Sequence, residues 1–124
     1  MESSLKPRRK GVARIVHATS YSLRGLAFAV RNESAFRQEL VGTAILLPFA
    51  VRFGRSPTEV ALLGGSLFLV LITELVNTAI EAVVDRIGPE RHELAGVAKD
   101  LGSAAVFVSL LGMAFTWATV FLAP

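Results

Sequence analysis

Residues 73–88 of the chain read TELVNTAIEAVVDRIG and place three carboxylates on an otherwise apolar segment. At about 100° per residue of an α-helix, Glu74 and Glu81 lie about 20° from eclipsed, and Asp85 lies about 20° from Glu74 on the other side. All three side chains therefore share one helix face. Since a charge inside a membrane costs about 2.5–3.5 kcal/mol even on lenient insertion scales, these acids are candidates for function.

The composition indicates a membrane protein. The 124 residues are 52% hydrophobic, and their mean hydropathy of +0.55 is high for an ordinary soluble domain. The absence of cysteine excludes disulfides and thiolate metal sites. Eight of the thirteen Lys and Arg residues lie between Lys6 and Arg37. A cytoplasmic segment that faces anionic lipid explains this asymmetry more simply than binding to nucleic acid does. We therefore expect no nucleic-acid partner.

The amino-terminal part divides into a tail and an amphipathic segment. Residues 1–13 are polar and basic, which predicts a flexible tail. Residues 14–32 mix apolar side chains with Arg14, Tyr21 and Arg24, which predicts a helix lying on the membrane surface. This helix either only holds the amino terminus at the headgroups or also binds an anionic ligand through those three side chains.

We predict three transmembrane spans after the surface helix, over about residues 34–53, 58–85 and 95–123. The first is uncharged only over residues 40–51, short of the roughly 20 residues that cross a bilayer, so Arg37 and Arg52 would have to snorkel. Residues 101–124 carry no charge at all. The predicted fold is an all-α membrane protein, with the surface helix and three spans forming a single domain over residues 14–124.

The distribution of positive charge predicts the orientation. The basic amino terminus and the loop after the second span should be cytoplasmic, and the carboxyl terminus should lie outside. Glu74 then lies just below the cytoplasmic face of the membrane. Further acids gather at that face, namely Glu33, Glu81, Asp85, Glu90 and Asp100.

Clustered acids at a cytoplasmic interface suit Mg²⁺, which proteins hold with one or two carboxylates plus waters and phosphates. Glu33 and Glu81 are placed to meet there. Glu74 is deeper and less solvated, which suits a general base near neutral pH. Charges of both signs lie beside the same interface, carried by Arg14, Arg91, Lys99 and Asp100. This mixture fits a phosphate and a metal better than an ion path.

Other interpretations of these residues stay open. Glu74 can be the proton carrier of a small proton-coupled transporter, or a structural group that bonds across a helix bundle. Asn77 alone is most often an interhelical contact, and His92 has no second His or Cys nearby for zinc. Neither GxxxxGK[ST] nor GxGxxG occurs. Three helices cannot hide this much polar surface, which predicts a homo-oligomer whose site a neighbouring subunit completes.

Two stretches resemble the prokaryotic diacylglycerol kinase family. They are TELVNTAIEAVVDRIGPERHELAGVAKDLGSAAV, at residues 73–106, and RIVHATSYSLRGLAFAVRNESAFRQE, at residues 14–39. The specific pattern is E-x-x-N-[ST]-A-I-E-x-x-x-D followed by A-K-D, and the likeness covers about residues 14–110. The resemblance implies ATP-dependent phosphorylation of the sn-3 hydroxyl of diacylglycerol to phosphatidic acid, with Mg²⁺. It also implies a homotrimer of three-span subunits in the bacterial cytoplasmic membrane, with active sites shared between neighbours.

The resemblance also implies residue roles. Glu74, the first glutamate of E-x-x-N, corresponds to the general base, and Asn77 would orient groups beside it. Glu33, in N-E-S-A-F, and Glu81, in A-I-E, correspond to metal ligands that bridge ATP phosphates. The nucleotide-binding set would be Arg14, Tyr21, Glu33, Glu81, Glu90, Arg91, His92, Lys99 and Asp100. The lipid substrate is expected against Arg14, Ser22, Glu39, Glu74 and Lys99.

One feature separates this chain from the general pattern of the family. The basic tail before Arg14 is long, and the pattern assigns it no role. A close branch of the family phosphorylates undecaprenol instead of diacylglycerol. The segments DRIG and KDLGSAAV, at residues 85–88 and 99–106, are more similar to the diacylglycerol branch.

Overall fold

The structure is a computed structural model that describes residues 10–87 and 92–124. These residues form four α-helices: α1 (Val12–Asn32), α2 (Ser34–Phe53), α3 (Pro57–Ile87) and α4 (Glu93–Leu122). The described ranges contain no strand, so the predicted all-α class is confirmed. The helix α1 covers the stretch predicted as a surface helix, and α2 covers the first predicted span.

Two helices, α3 and α4, are long and apolar enough to cross a membrane by length and composition. They contain 31 and 30 residues, and each has a window of mean hydropathy 2.0. The prediction of three such helices differs from this result: within the described ranges, α2 does not qualify. The physical reason is the run of Arg37, Gln38 and Glu39 in its first turns, which leaves too short an apolar remainder in a 20-residue helix.

The corner between α1 and α2 is a single residue, Glu33, with extended backbone angles of φ −115° and ψ 107°. Its N–H donates to the carbonyl of Ala29 at 2.9 Å. The Arg37 guanidinium donates to the carbonyls of Val30 and Arg31 at 2.9 and 3.2 Å, satisfying groups at the end of α1 that have no partner within the helix. These bonds fix the position of Glu33 in the corner.

The turn between α2 and α3 is closed by side chains on both sides. The Ser56 hydroxyl accepts from the Glu59 N–H at 3.1 Å and so caps the start of α3. The Arg55 guanidinium donates to a Glu59 carboxylate oxygen at 3.3 Å and to the Val120 carbonyl. A β-carbon at Gly54 would lie 2.5 Å from Val60 Cγ2, so only glycine allows this close turn. The turn is thereby tied to the end of α4.

The helices α3 and α4 form an antiparallel pair joined by polar contacts. The Trp117 indole N–H donates to the Ser66 hydroxyl at 3.2 Å, and the Thr73 and Ser109 hydroxyls lie 2.9 Å apart. An aromatic cluster at the turn end of the pair consists of Phe49, Phe53, Trp117 and Phe121. Such interhelical hydrogen bonds contribute about 0.6 kcal/mol each on average inside a membrane, so the seam rests on several of them.

Most large apolar side chains point outward. Only Phe36, Leu63 and Val70 are large and fully buried within the described chain. Large exposed side chains line α3 and α4, including Phe68, Leu69, Phe107, Val108, Leu111 and Phe115. A surface of this kind requires lipid or another protein against it, because a soluble monomer rarely exposes so large an apolar area.

Candidate active site

A buried carboxylate, Glu74, lies at the centre of the candidate site. It sits on α3 with only 7% of its surface exposed. The charges of Glu39 on α2, Glu33 at the corner and Glu81 on α3 are near enough to act on it. Three acids that the sequence singled out, Glu33, Glu39 and Glu81, therefore lie within electrostatic range of Glu74.

One turn along α3, Asn77 and Glu81 interact directly. The Asn77 amide nitrogen donates to Glu81 Oε1 at 3.4 Å, a contact that follows from their i, i+4 spacing on one helix face. The other end of the same amide, Oδ1, is buried and has no hydrogen-bond partner among the described residues. Asn77 therefore contacts the acid predicted to bind metal, whereas the sequence placed it beside the base.

A salt bridge joins α3 to α4 at the end of the site. Lys99 Nζ lies 2.7 Å from Asp85 Oδ1, and both side chains are largely exposed. An anion that binds Lys99 must therefore share it with Asp85.

The predicted site residues on α1 remain on its exposed side. Arg14 and Ser22 line the same concave surface, while Tyr21 is 61% exposed and has the Arg24 guanidinium 5.4 Å from its ring centre. Within residues 10–87 and 92–124, no hydrogen bond or ion pair joins Arg14 or Tyr21 to α3 or α4. Arg14 and Tyr21 are therefore exposed and available to a ligand or to another subunit.

The start of α4 contains three further predicted residues. The His92 imidazole accepts from the Leu94 N–H at 3.1 Å through Nδ1 and so caps α4. Asp100 is exposed on the same helix. Glu90 and Arg91, also predicted to bind nucleotide, lie outside the described residues. His92 thus has a structural task that its sequence position alone did not suggest.

An apolar groove separates α1 from α3 beside the acids. It has a volume of about 500 Å³ and is lined mostly by small and apolar side chains: Ser22, Gly25, Leu26, Phe28, Ala29, Leu75, Thr78, Ala79 and Ala82. Thr78 follows Glu74 by one turn of α3, about 40° around the helix, so the groove runs next to the buried carboxylate. Its dimensions and lining suit part of an acyl chain.

The acidic side chains of the site can be compared with the ligands that a metal ion requires. In the described part of the chain, no group of three His, Asp or Glu side chains is close enough to form a closed metal site. Glu33 and Glu81 are both partly exposed and both within electrostatic range of Glu74. Mg²⁺ commonly takes one or two carboxylates and completes its shell with water and phosphate oxygens, so each of these partly exposed carboxylates has the chemistry to bind Mg²⁺ together with a nucleotide.

The sequence did not predict two features of this region. One is the groove, which is formed by Gly25 and Ala29 on α1 against Ala79 and Ala82 on α3. The other is the close approach of Gly102 on α4 to Asn77. The signal available for both was the recurrence of small residues at helical spacing, which is typical of contacts between membrane helices.

The fold and the site together define a small helical membrane protein with an acidic site at one end of its long apolar helices. Residues 20–121 match the sequence profile of the prokaryotic diacylglycerol kinases, which is most of the chain. The chain belongs to the prokaryotic diacylglycerol kinase family.

Relatives are similar over nearly their full length. A diacylglycerol kinase of Pseudomonas aeruginosa is 49% identical over 112 residues, covering 90% of this chain and 91% of the relative. A diacylglycerol kinase of Haemophilus influenzae is 47% identical over 107 residues, covering 86% and 91%. The diacylglycerol kinase of Escherichia coli K12 is 48% identical over 107 residues, covering 86% and 88%. The resemblance noted in the sequence is therefore confirmed.

Proposed function

We propose that the protein transfers the γ-phosphate of ATP to the sn-3 hydroxyl of diacylglycerol at the cytoplasmic face of the bacterial membrane, giving phosphatidic acid and ADP. The family and the names of its relatives support a lipid kinase. The observation that carries the proposal is the buried carboxylate of Glu74, with an apolar groove on one side and Glu33, Glu39 and Glu81 around it.

In this mechanism Glu74 is the general base. Its carboxylate takes the proton of the lipid hydroxyl as the hydroxyl oxygen attacks the γ-phosphorus in line, and the bond to the β–γ bridging oxygen breaks to release ADP. The transferred proton ends on Glu74 and then passes to water. Phosphoryl transfer needs mainly positioning and charge neutralisation, so no covalent enzyme intermediate is required. A base of this kind contributes about 10²- to 10⁴-fold to the rate.

Glu33 and Glu81 would hold Mg²⁺ together with the ATP phosphates. Bound there, the ion neutralises phosphate charge that the surrounding carboxylates would otherwise repel. The Asn77 amide keeps one Glu81 oxygen in place. The proposed nucleotide contacts are Arg14, Tyr21, Glu33, Glu81, Glu90, Arg91, His92, Lys99 and Asp100, and for Lys99 the phosphates compete with Asp85.

The groove between α1 and α3 would receive the lipid. Ser22 lies at the groove, and its hydroxyl, which donates to the Ala18 carbonyl at 3.0 Å, can accept a hydrogen bond from the glycerol hydroxyl. The proposed lipid contacts are Arg14, Ser22, Glu39, Glu74 and Lys99. A lipid seated along Leu75 and Thr78 has its free hydroxyl directed to the adjacent Glu74, which accounts for a base buried in an apolar helix.

The assembly proposed is a homotrimer with α2 as a third span and the amino terminus in the cytoplasm. The exposed apolar faces of α3 and α4 support contact with lipid and with further subunits. In the described ranges, Arg14 and Tyr21 of α1 also make no hydrogen bond or ion pair to α3 or α4, as expected if a neighbouring subunit completes the site.

Two other functions remain as alternatives. Undecaprenol is a second lipid alcohol that the same phosphoryl transfer could use. Only the part of the groove that surrounds the hydrocarbon tail of the lipid would then need a different shape. A small proton-coupled transporter would use Glu74 as its proton carrier. The relatives, all named diacylglycerol kinase, favour the first function over both.

The direct experiment is to offer the purified protein Mg-ATP with diacylglycerol and undecaprenol in parallel mixed micelles. We expect radiolabelled phosphate to appear in phosphatidic acid at a rate at least tenfold above that for undecaprenyl phosphate. A preference for undecaprenol would show that the proposed substrate is wrong, while the proposed phosphoryl transfer would stand. Labelling of neither lipid, combined with ATP-independent proton flux in liposomes, would favour the transporter.

We expect Glu74→Gln to lower the rate of diacylglycerol phosphorylation by about 10²-fold or more, since glutamine cannot accept the proton. Nucleotide affinity and assembly should stay close to those of the parent protein. Glu59→Gln is the matched control, because Glu59 lies on the same helix at the opposite end, bonded to Arg55. Near-normal turnover in Glu74→Gln would show that another group is the base.

A further inference from the structure

The closest contact between α3 and α4 near the site is at Gly102. Gly102 is buried, and a β-carbon there would lie 2.3 Å from Asn77 Oδ1 and 3.4 Å from Asn77 Cγ. The other two glycines of α4, Gly96 and Gly112, would place a β-carbon in open space. Space is therefore required at one glycine of α4 only, and the side chain that occupies it is the Asn77 amide.

Gly102 leaves room for one end of the Asn77 amide, and Glu81 selects which end occupies it. With Oδ1 turned to Gly102, the amide nitrogen faces Glu81 and donates to it at 3.4 Å. In the reversed orientation a carbonyl oxygen would face a carboxylate oxygen, and two acceptors repel each other. Oδ1 has no hydrogen-bond partner in the described chain. It lies beside the α4 backbone at Gly102, where a weak Cα–H···O contact is possible.

We propose that Gly102 is a positioning residue of the active site: by leaving room for Asn77 Oδ1, it holds the Asn77 amide nitrogen on Glu81 and so fixes the carboxylate that receives the magnesium nucleotide. This inference rests on the proposed function for the role of Glu81. Gly102 acts on the site only through Asn77, since no atom of glycine itself reaches the acids.

An added methyl group at position 102 must displace either Asn77 or α4. The helices are held on both sides of this contact, by the Thr73–Ser109 hydrogen bond and by the Asp85–Lys99 salt bridge. The Asn77 side chain is the more easily moved part, since it rotates about two bonds. Once it turns away, Glu81 loses its donor and its carboxylate is free to rotate.

The test is the affinity of the full-length Gly102→Ala protein for Mg²⁺ with a non-hydrolysable ATP analogue, measured by calorimetric titration in micelles. Loss of a hydrogen-bond partner behind a metal ligand commonly weakens metal binding 10- to 100-fold, and we expect a loss of about tenfold. Gly96→Ala and Gly112→Ala, on the same helix, should bind as the parent does. Equal binding by Gly102→Ala would overturn the proposal.

A double-mutant comparison separates positioning from simple packing. In the Asn77→Ala background no amide remains to be displaced, so adding Gly102→Ala should weaken nucleotide binding no further. If the penalty of Gly102→Ala is the same in both backgrounds, Gly102 acts only through helix packing and the proposal fails. The titration needs no turnover, so it gives an answer even if the parent protein phosphorylates no diacylglycerol, which would refute only the proposed function.

Discussion

The structure depends on keeping one carboxylate buried in an apolar helix. Glu74 is 7% exposed and lies among the charges of three further acids. A membrane environment makes such an arrangement costly, and it persists only where other groups hold the elements in place. Here the corner at Glu33, the polar contacts between α3 and α4 and the Lys99–Asp85 salt bridge supply that support. The arrangement is a reason to expect chemistry at Glu74.

The two ends of the helix pair differ in kind. The turn end is closed by aromatic rings and by Arg55, which binds both Glu59 and the Val120 carbonyl near the end of α4. The site end is acidic and open, with partly exposed carboxylates and a lysine that already has a partner. A rigid far end and an accessible near end suit an enzyme that exchanges nucleotide with water while its lipid substrate stays in the bilayer.

Much of the architecture could be predicted from periodicity and charge alone. The apolar runs gave the long helices α3 and α4, and the spacing of Glu74 and Glu81 placed both acids on one face. Whether α2 crosses the membrane could not be predicted in this way, because Arg37 and Glu39 interrupt its apolar pattern. Their side chains could snorkel to the interface, but that depends on neighbouring groups that the sequence alone does not define. Gly102 and the α1–α3 groove depend on how two helices approach, which small residues permit but do not specify.

The proposed kinase mechanism requires that the nucleotide phosphates bind at Glu33 and Glu81. It also requires that Glu74 lies near them but deeper in the membrane. Paramagnetic broadening tests this, with Mn²⁺ and a non-hydrolysable ATP analogue added to protein labelled with ¹³C at its glutamate carboxyls. We expect the strongest broadening at Glu33 and Glu81, partial broadening at Glu74, and none at Glu59 at the far end of α3. If the signals of Glu33 and Glu81 stay sharp while that of Glu59 broadens, the proposed nucleotide site is wrong.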